Sequence, residues 1–118
     1  MDARKVNLIN ALQLLASVDD QDKYNRDVPI ANVAWELISV WFDDSFFPEE
    51  AWFKNNFSDD EWEVLMEFHN YYDGLVEKLP DNYDALREDF NWKKIIGKAA
   101  WVLEMLGWRD IEAKYDDK

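Results

Sequence analysis

Residues 30–41 constrain the fold more than any other stretch. Ile30, Val33, Ala34, Leu37, Ile38 and Trp41 recur at i, i+3, i+4, i+7, i+8 and i+11, which lines apolar side chains along one stripe of an α-helix. A strand, whose side chains alternate with period two, would scatter them over both faces. Pro29 suits the first turn of this helix, and the stripe fails at Asp43-Asp44-Ser45. The same period returns elsewhere. Val6, Ile9, Leu12 and Ala16 mark a first helix with Asp2 placed to cap it. Ser58-Asp59-Asp60-Glu61 spells a capping box ahead of Trp62, Leu65, Met66, His69, Tyr72, Val76 and Leu79, and Pro80 ends that run. Trp92, Ile95, Ile96, Ala99, Leu103 and Leu106 form a last stripe, with Asn91 expected as its cap and Gly107 as its stop.

Between these stripes, residues 19–27 are polar and without period, so a loop is expected there. Residues 46–57 read as a connector with one helical turn after Pro48, residues 81–89 as a short helix, and residues 109–118 as a frayed tail. Only three glycines and three prolines argue against an all-β chain. The expected fold is all-α: one domain over residues 1–118, a small helical bundle of four main helices plus short helical turns.

Composition removes much chemistry. The chain has no cysteine and a single histidine, His69, which excludes disulfides, thiol nucleophiles and the usual zinc sites. No catalytic residue, cofactor-binding residue or metal ligand is assigned, and no enzyme is expected. Glu63 and Glu67, like Asp73 and Glu77, are spaced i, i+4 and could hold Mg²⁺ on one helical face. All-α pyrophosphatases oppose a second acidic helix to the first, and no such motif is present. Lys93, Lys94 and Lys98 make a modest basic patch, too small beside the total charge to suggest nucleic-acid binding. No run of 18 apolar residues exists, and Asn7, Asn10 and Gln13 interrupt what would be a signal segment. The expected location is the cytoplasm, with neither membrane nor nucleic acid as a partner.

The charge is the strongest functional signal. The chain carries 26 acids and 13 bases, a net of −13. Residues 43–89 alone hold fifteen acids against three bases, a net of −12. Such a field repels nucleic acid and steers in basic partners. The same segment carries Phe46, Phe47, Trp52, Phe53, Phe57, Trp62, Phe68, Tyr71 and Tyr72. Aromatic anchors ringed by carboxylates suit an interface with a cationic protein. Equally, the aromatics could fill the core while the acids form a solvated face. On the interface reading, the partner-binding residues are Asp43, Asp44, Glu49, Glu50, Trp52, Phe53, Asp59, Asp60, Glu63 and Glu67, with Tyr71 and Asp73 behind them. Trp52 and Phe53 would be the anchors.

Three stretches carry a family resemblance: Leu8-Ile9-Asn10-Ala11-Leu12-Gln13-Leu14-Leu15-Ala16-Ser17, Phe57-Ser58-Asp59-Asp60-Glu61-Trp62, and Asn91-Trp92 leading to Ala99-Ala100-Trp101-Val102-Leu103-Glu104-Met105-Leu106-Gly107-Trp108. In this order the chain resembles small acidic all-helical bacterial immunity proteins of polymorphic toxin and contact-dependent growth inhibition systems. The motifs are caps and core positions, so no functional residue carries over. The resemblance implies a one-to-one complex with a cognate basic toxin domain, a nuclease whose phosphate-binding cleft the acidic face would cover. A phage-type nucleic-acid mimic acting on a host enzyme would use the same face. An Mg²⁺-dependent nucleotide hydrolase is the third reading.

Overall fold

Among the described residues, six of the seven α-helices begin at a side chain that accepts a backbone N–H from the first turn. The computed structural model describes residues 2–28 and 32–112. Its elements are α1 (Ala3–Leu15), α2 (Val18–Asp27), α3 (Val33–Phe42), α4 (Ala51–Lys54), α5 (Asp59–Leu75), a 3₁₀ turn at Val76–Lys78, α6 (Tyr83–Glu88) and α7 (Phe90–Leu106). Asp2 caps α1, Ser17 α2, Asn32 α3, Ser58 α5, Asn82 α6 and Asp89 α7. Each offers an oxygen to an otherwise orphaned donor. The Ser58–Glu61 capping box closes in both directions, at 2.9 and 3.1 Å. Gly107 ends α7 in the left-handed region at φ 70°, where an L side chain would be strained.

The described residues contain helices and no strand, so the all-α expectation holds. The helix count does not. Besides the four expected long helices, the segment read as a polar loop is the ten-residue helix α2. Its acids Asp19 and Asp20 lie in the first turn and Arg26 in the last, each favourable to the helix dipole. The cap of α7 is Asp89 rather than Asn91, because the α6–α7 joint is a single extended residue: Asp89 ends α6 and begins α7. Pro29 and Ile30 lie outside the described residues, and the described α3 starts after Asn32.

One core joins the long helices, and α2 meets it only through the half-buried Tyr24 and the buried Gln21. Ile9, Leu12, Leu37, Trp41, Leu65, Phe68, Tyr72, Trp92, Ile95 and Ala99 are fully or almost fully buried. Trp41 is its hub, stacked on Phe46 and edge-on to Phe68, both at 4.8 Å. Helices α5 and α7 run antiparallel: Tyr72 meets Trp92, Glu67 meets Lys98, and Phe57 meets Trp108 at successive levels.

Polar joints complete the frame. Gln21, the sole buried residue of α2, donates to the Leu14 and Leu15 carbonyls and accepts the Trp92 indole N–H at 3.0 Å. Every polar atom of that amide which the core hides is thus used. Gln13 donates to the Trp108 and Ile111 carbonyls. The segment after Gly107, expected to fray, is therefore tied down as far as Ile111, which packs on the core; residues 113–118 lie outside the described residues.

Candidate functional site

At about 100° per residue, α5 divides into two sides. Leu65, Phe68 and Tyr72 face the core. Asp59, Asp60, Glu63, Glu67, Asn70, Tyr71, Asp73 and Gly74 are all exposed and share the opposite arc. Six of the twelve residues expected to bind a partner are thus on one helix face: Asp59, Asp60, Glu63, Glu67, Tyr71 and Asp73. The capping box fixes where this helix starts, and the core stripe fixes its rotation.

The two flanks of the face differ. On one, Trp62 stacks near Phe46 at 5.2 Å and His69 lies 5.0 Å from the same ring, so the α3–α4 connection packs there. On the other, Glu67 and Tyr71 meet Lys98 of α7. Among the described residues, no cation pairs with Asp43, Asp44, Glu49, Asp59, Asp60, Glu63 or Asp73. Glu61 pairs with Lys5 at 3.6 Å and Glu67 with Lys98 at 2.7 Å. Asp73 stands in the last turn of α5, where a negative charge opposes the helix dipole and no base offsets it.

The remaining expected residues do not all join this face. Phe53 is a correction: it is 0 % exposed. It packs against Phe46, Phe47, Phe57 and Trp62 and so cannot be an anchor in direct contact with a partner. The four-residue helix α4 has one inward position, and Phe53 takes it. Trp52, its neighbour, is 46 % exposed. Its indole N–H donates to Glu50 at 3.0 Å, and the Arg4 guanidinium lies 4.7 Å over the ring. Glu49 and Glu50 are exposed beside it. Asp43 is exposed just past the end of α3. Asp44 borders a concavity shared with Asn7, Asn10 and Leu14 of α1, which puts it on the α1–α3 side.

His69 is half-buried, and its Nδ1 accepts the Trp41 indole N–H at 3.2 Å. Burial pushes its pKa below the ordinary value, against the pull of the Asp73 charge. His69 stands on the apolar stripe of α5, and its ring packs against Phe42 and Phe46. Among the described residues, no three acidic or histidine side chains converge as a metal site. Glu67, one of the four carboxylates considered for Mg²⁺, is held by Lys98. A cavity of about 720 Å³ lies between the end of α1, the start of α2, α7 and residues 109–112, and none of the twelve expected residues lines it.

Sequence reasoning missed three surface aromatics. Trp35 is 59 % and Phe90 70 % exposed; both stand off the apolar stripes of their helices, a signal that the period itself carried. Trp101 is half-buried under Lys98, whose Nζ is 3.9 Å from the ring centroid. Lys94 lies over Phe90 at 4.5 Å. The supposed basic patch is therefore partly spent on aromatic rings. No protein-family model matches the chain, no curated protein matches it, and no solved structure matches it.

Proposed function

We propose that this chain is a cytoplasmic immunity protein that binds and neutralises a cognate basic toxin domain, a nuclease of a contact-dependent growth inhibition or related polymorphic toxin. The observation that carries the reading is the outward face of α5, where Asp59, Asp60, Glu63 and Asp73 stand exposed with no cation paired to them among the described residues. Past the first turn, where the helix dipole no longer favours acids, the unpaired charges of Glu63 and Asp73 work against the fold. A partner rich in Lys and Arg removes that repulsion and gains charge-assisted contacts. Trp52 and Tyr71, both exposed, supply aromatic contact area. Phe53 acts from below, holding Trp52 in place at a ring distance of 6.1 Å. Asp43, Asp44, Glu49 and Glu50 extend the negative field beyond α5, which speeds encounter more than it tightens the complex. A surface with this charge covers a phosphate-binding cleft and keeps nucleic acid out of it.

The test is a pull-down of the C-terminal domain encoded by the adjacent upstream gene, at low and high salt. A one-to-one complex that weakens with salt is expected. Reversing two charges together, Asp60→Lys with Glu63→Lys, should weaken it at least about tenfold. A folded double variant that binds as well as the parent would remove α5 from the interface.

A further inference from the structure

Where α5 and α7 meet at the edge of the acidic face, one cation is held by three groups. The Nζ of Lys98 lies 2.7 Å from a Glu67 carboxylate oxygen, 3.9 Å from the Trp101 centroid and 5.5 Å from that of Tyr71. Glu67 and Tyr71 are four residues apart on α5, and Lys98 and Trp101 three apart on α7, so both pairs sit on adjacent helical turns. An aromatic wall with a carboxylate beside it is the arrangement that binds organic cations. Here its occupant is the protein's own lysine.

We infer that Glu67, Tyr71 and Trp101 form a receptor for an arginine side chain of the basic partner, and that Lys98 is a resident stand-in which the incoming guanidinium displaces. This inference rests on the proposed function only for the identity of the partner; the receptor itself follows from the seam. A guanidinium suits the seam better than an ammonium. It is planar, stacks on indole, is less strongly hydrated, and can pair with a carboxylate through two parallel N–H groups. Lys98, once released, keeps a flexible four-carbon stem with which to reach water. The surrounding charge draws in a further cation, because Glu63 and Asp60 lie on the same exposed arc and no cation among the described residues pairs with them.

A sign reversal tests this. Removing an ordinary interface contact weakens binding, whereas removing a competitor strengthens it. Hexa-arginine binding to the full chain is measured calorimetrically at low salt for Lys98→Ala and for Lys93→Ala, which removes the same charge from an exposed site on α7. Lys98→Ala should bind tighter than Lys93→Ala by about threefold or more, the ratio a surface cation–π contact supplies. Adding Glu67→Gln should abolish that gain, and adding Glu63→Gln, equal in charge, should leave most of it. Glu63, Glu67 and Lys93 are exposed and Lys98 is half-buried, and a thermal melt confirms folding of each variant. Equal affinities for Lys98→Ala and Lys93→Ala, or equal losses from Glu67→Gln and Glu63→Gln, would overturn the receptor and leave only general attraction. The two proposals fail separately. A toxin domain captured with no preference for Lys98→Ala refutes the receptor alone; a receptor for hexa-arginine with no toxin captured refutes the immunity reading alone.

Discussion

Helices α2 and α5 are both acidic, yet they use their acids in opposite ways. In α2 the carboxylates serve the fold. Asp19 and Asp20 favour the helix start. Asp22 accepts two guanidinium contacts from Arg87, at 2.9 and 3.1 Å, and the Tyr83 hydroxyl at 2.6 Å. These hydrogen bonds, that from Arg87 foremost, hold the Asp22 carboxyl below its ordinary pKa. On the outward arc of α5, past the first turn, Glu67 is paired with Lys98, while Glu63 and Asp73 have no such partner among the described residues. Acids that tie elements together are part of what keeps the molecule folded. Acids left facing water past the first turn of α5 tie no elements together, and it is these that the proposed interface would use.

Breaking the α2 junction should have the largest effect. Gln21→Ala removes two donated bonds and leaves the buried Trp92 indole N–H without its acceptor. We expect a loss of about 3 kcal/mol in urea denaturation, against about 0.5 kcal/mol or less for Glu63→Ala on the α5 face. Similar costs at the two sites would erase the distinction.

Acidification should give an intermediate effect. His69 and Asp22 have folded pKa values below their ordinary ones, so the unfolded chain binds protons more readily and stability falls with pH. The His69 contribution is complete above its ordinary value of 6.5 and is lost as the pH drops through the folded value. Its protonated ring can no longer accept the Trp41 N–H. The Asp22 contribution persists below that and is lost only beneath its ordinary value of 3.8. Urea midpoints followed down this range should fall in two stages, and Asp22→Asn should flatten the second alone.

The smallest effect should come from relieving repulsion. Glu63→Gln and Asp73→Asn together should raise the melting temperature slightly, each relieving a few tenths of a kcal/mol. The gain should shrink as salt screens the parent's charges. A loss of stability instead would mean that these acids support α5 after all.

What the sequence made legible follows the range of the forces involved. Caps and stripes are local, so the Ser58 box, the Gly107 stop and the inward faces of α3, α5 and α7 could be read directly. The outward grouping of Asp59, Asp60, Glu63, Glu67, Tyr71 and Asp73 came with the α5 stripe, since fixing one side of a helix fixes the other. Helix α2 was hidden because it lacks an apolar stripe and its anchors are polar groups 61 to 71 residues away. Phe53 was misread because four residues carry no period, and the neighbours Trp52 and Phe53 differ only in which way α4 is turned. The Lys98 seam was invisible for a related reason: its two halves are 31 residues apart, and their meeting depends on how α5 and α7 pack.

The distance between Gln21 and Trp92 also has a consequence for the order of folding. Helix α2 has one buried side chain, and its indole partner lies 71 residues further along the chain. Tyr83 and Arg87, which hold Asp22, come 61 and 65 residues later. A ten-residue helix without an apolar face is marginal alone. As the chain is synthesised from its N-terminus, α1 and α3 carry core residues that can meet early, while α2 has only its bonds to the Leu14 and Leu15 carbonyls of α1 until α6 and the start of α7 have emerged. The second helix in sequence is therefore among the last to be secured, and it closes the molecule by clasping residues made long after its own.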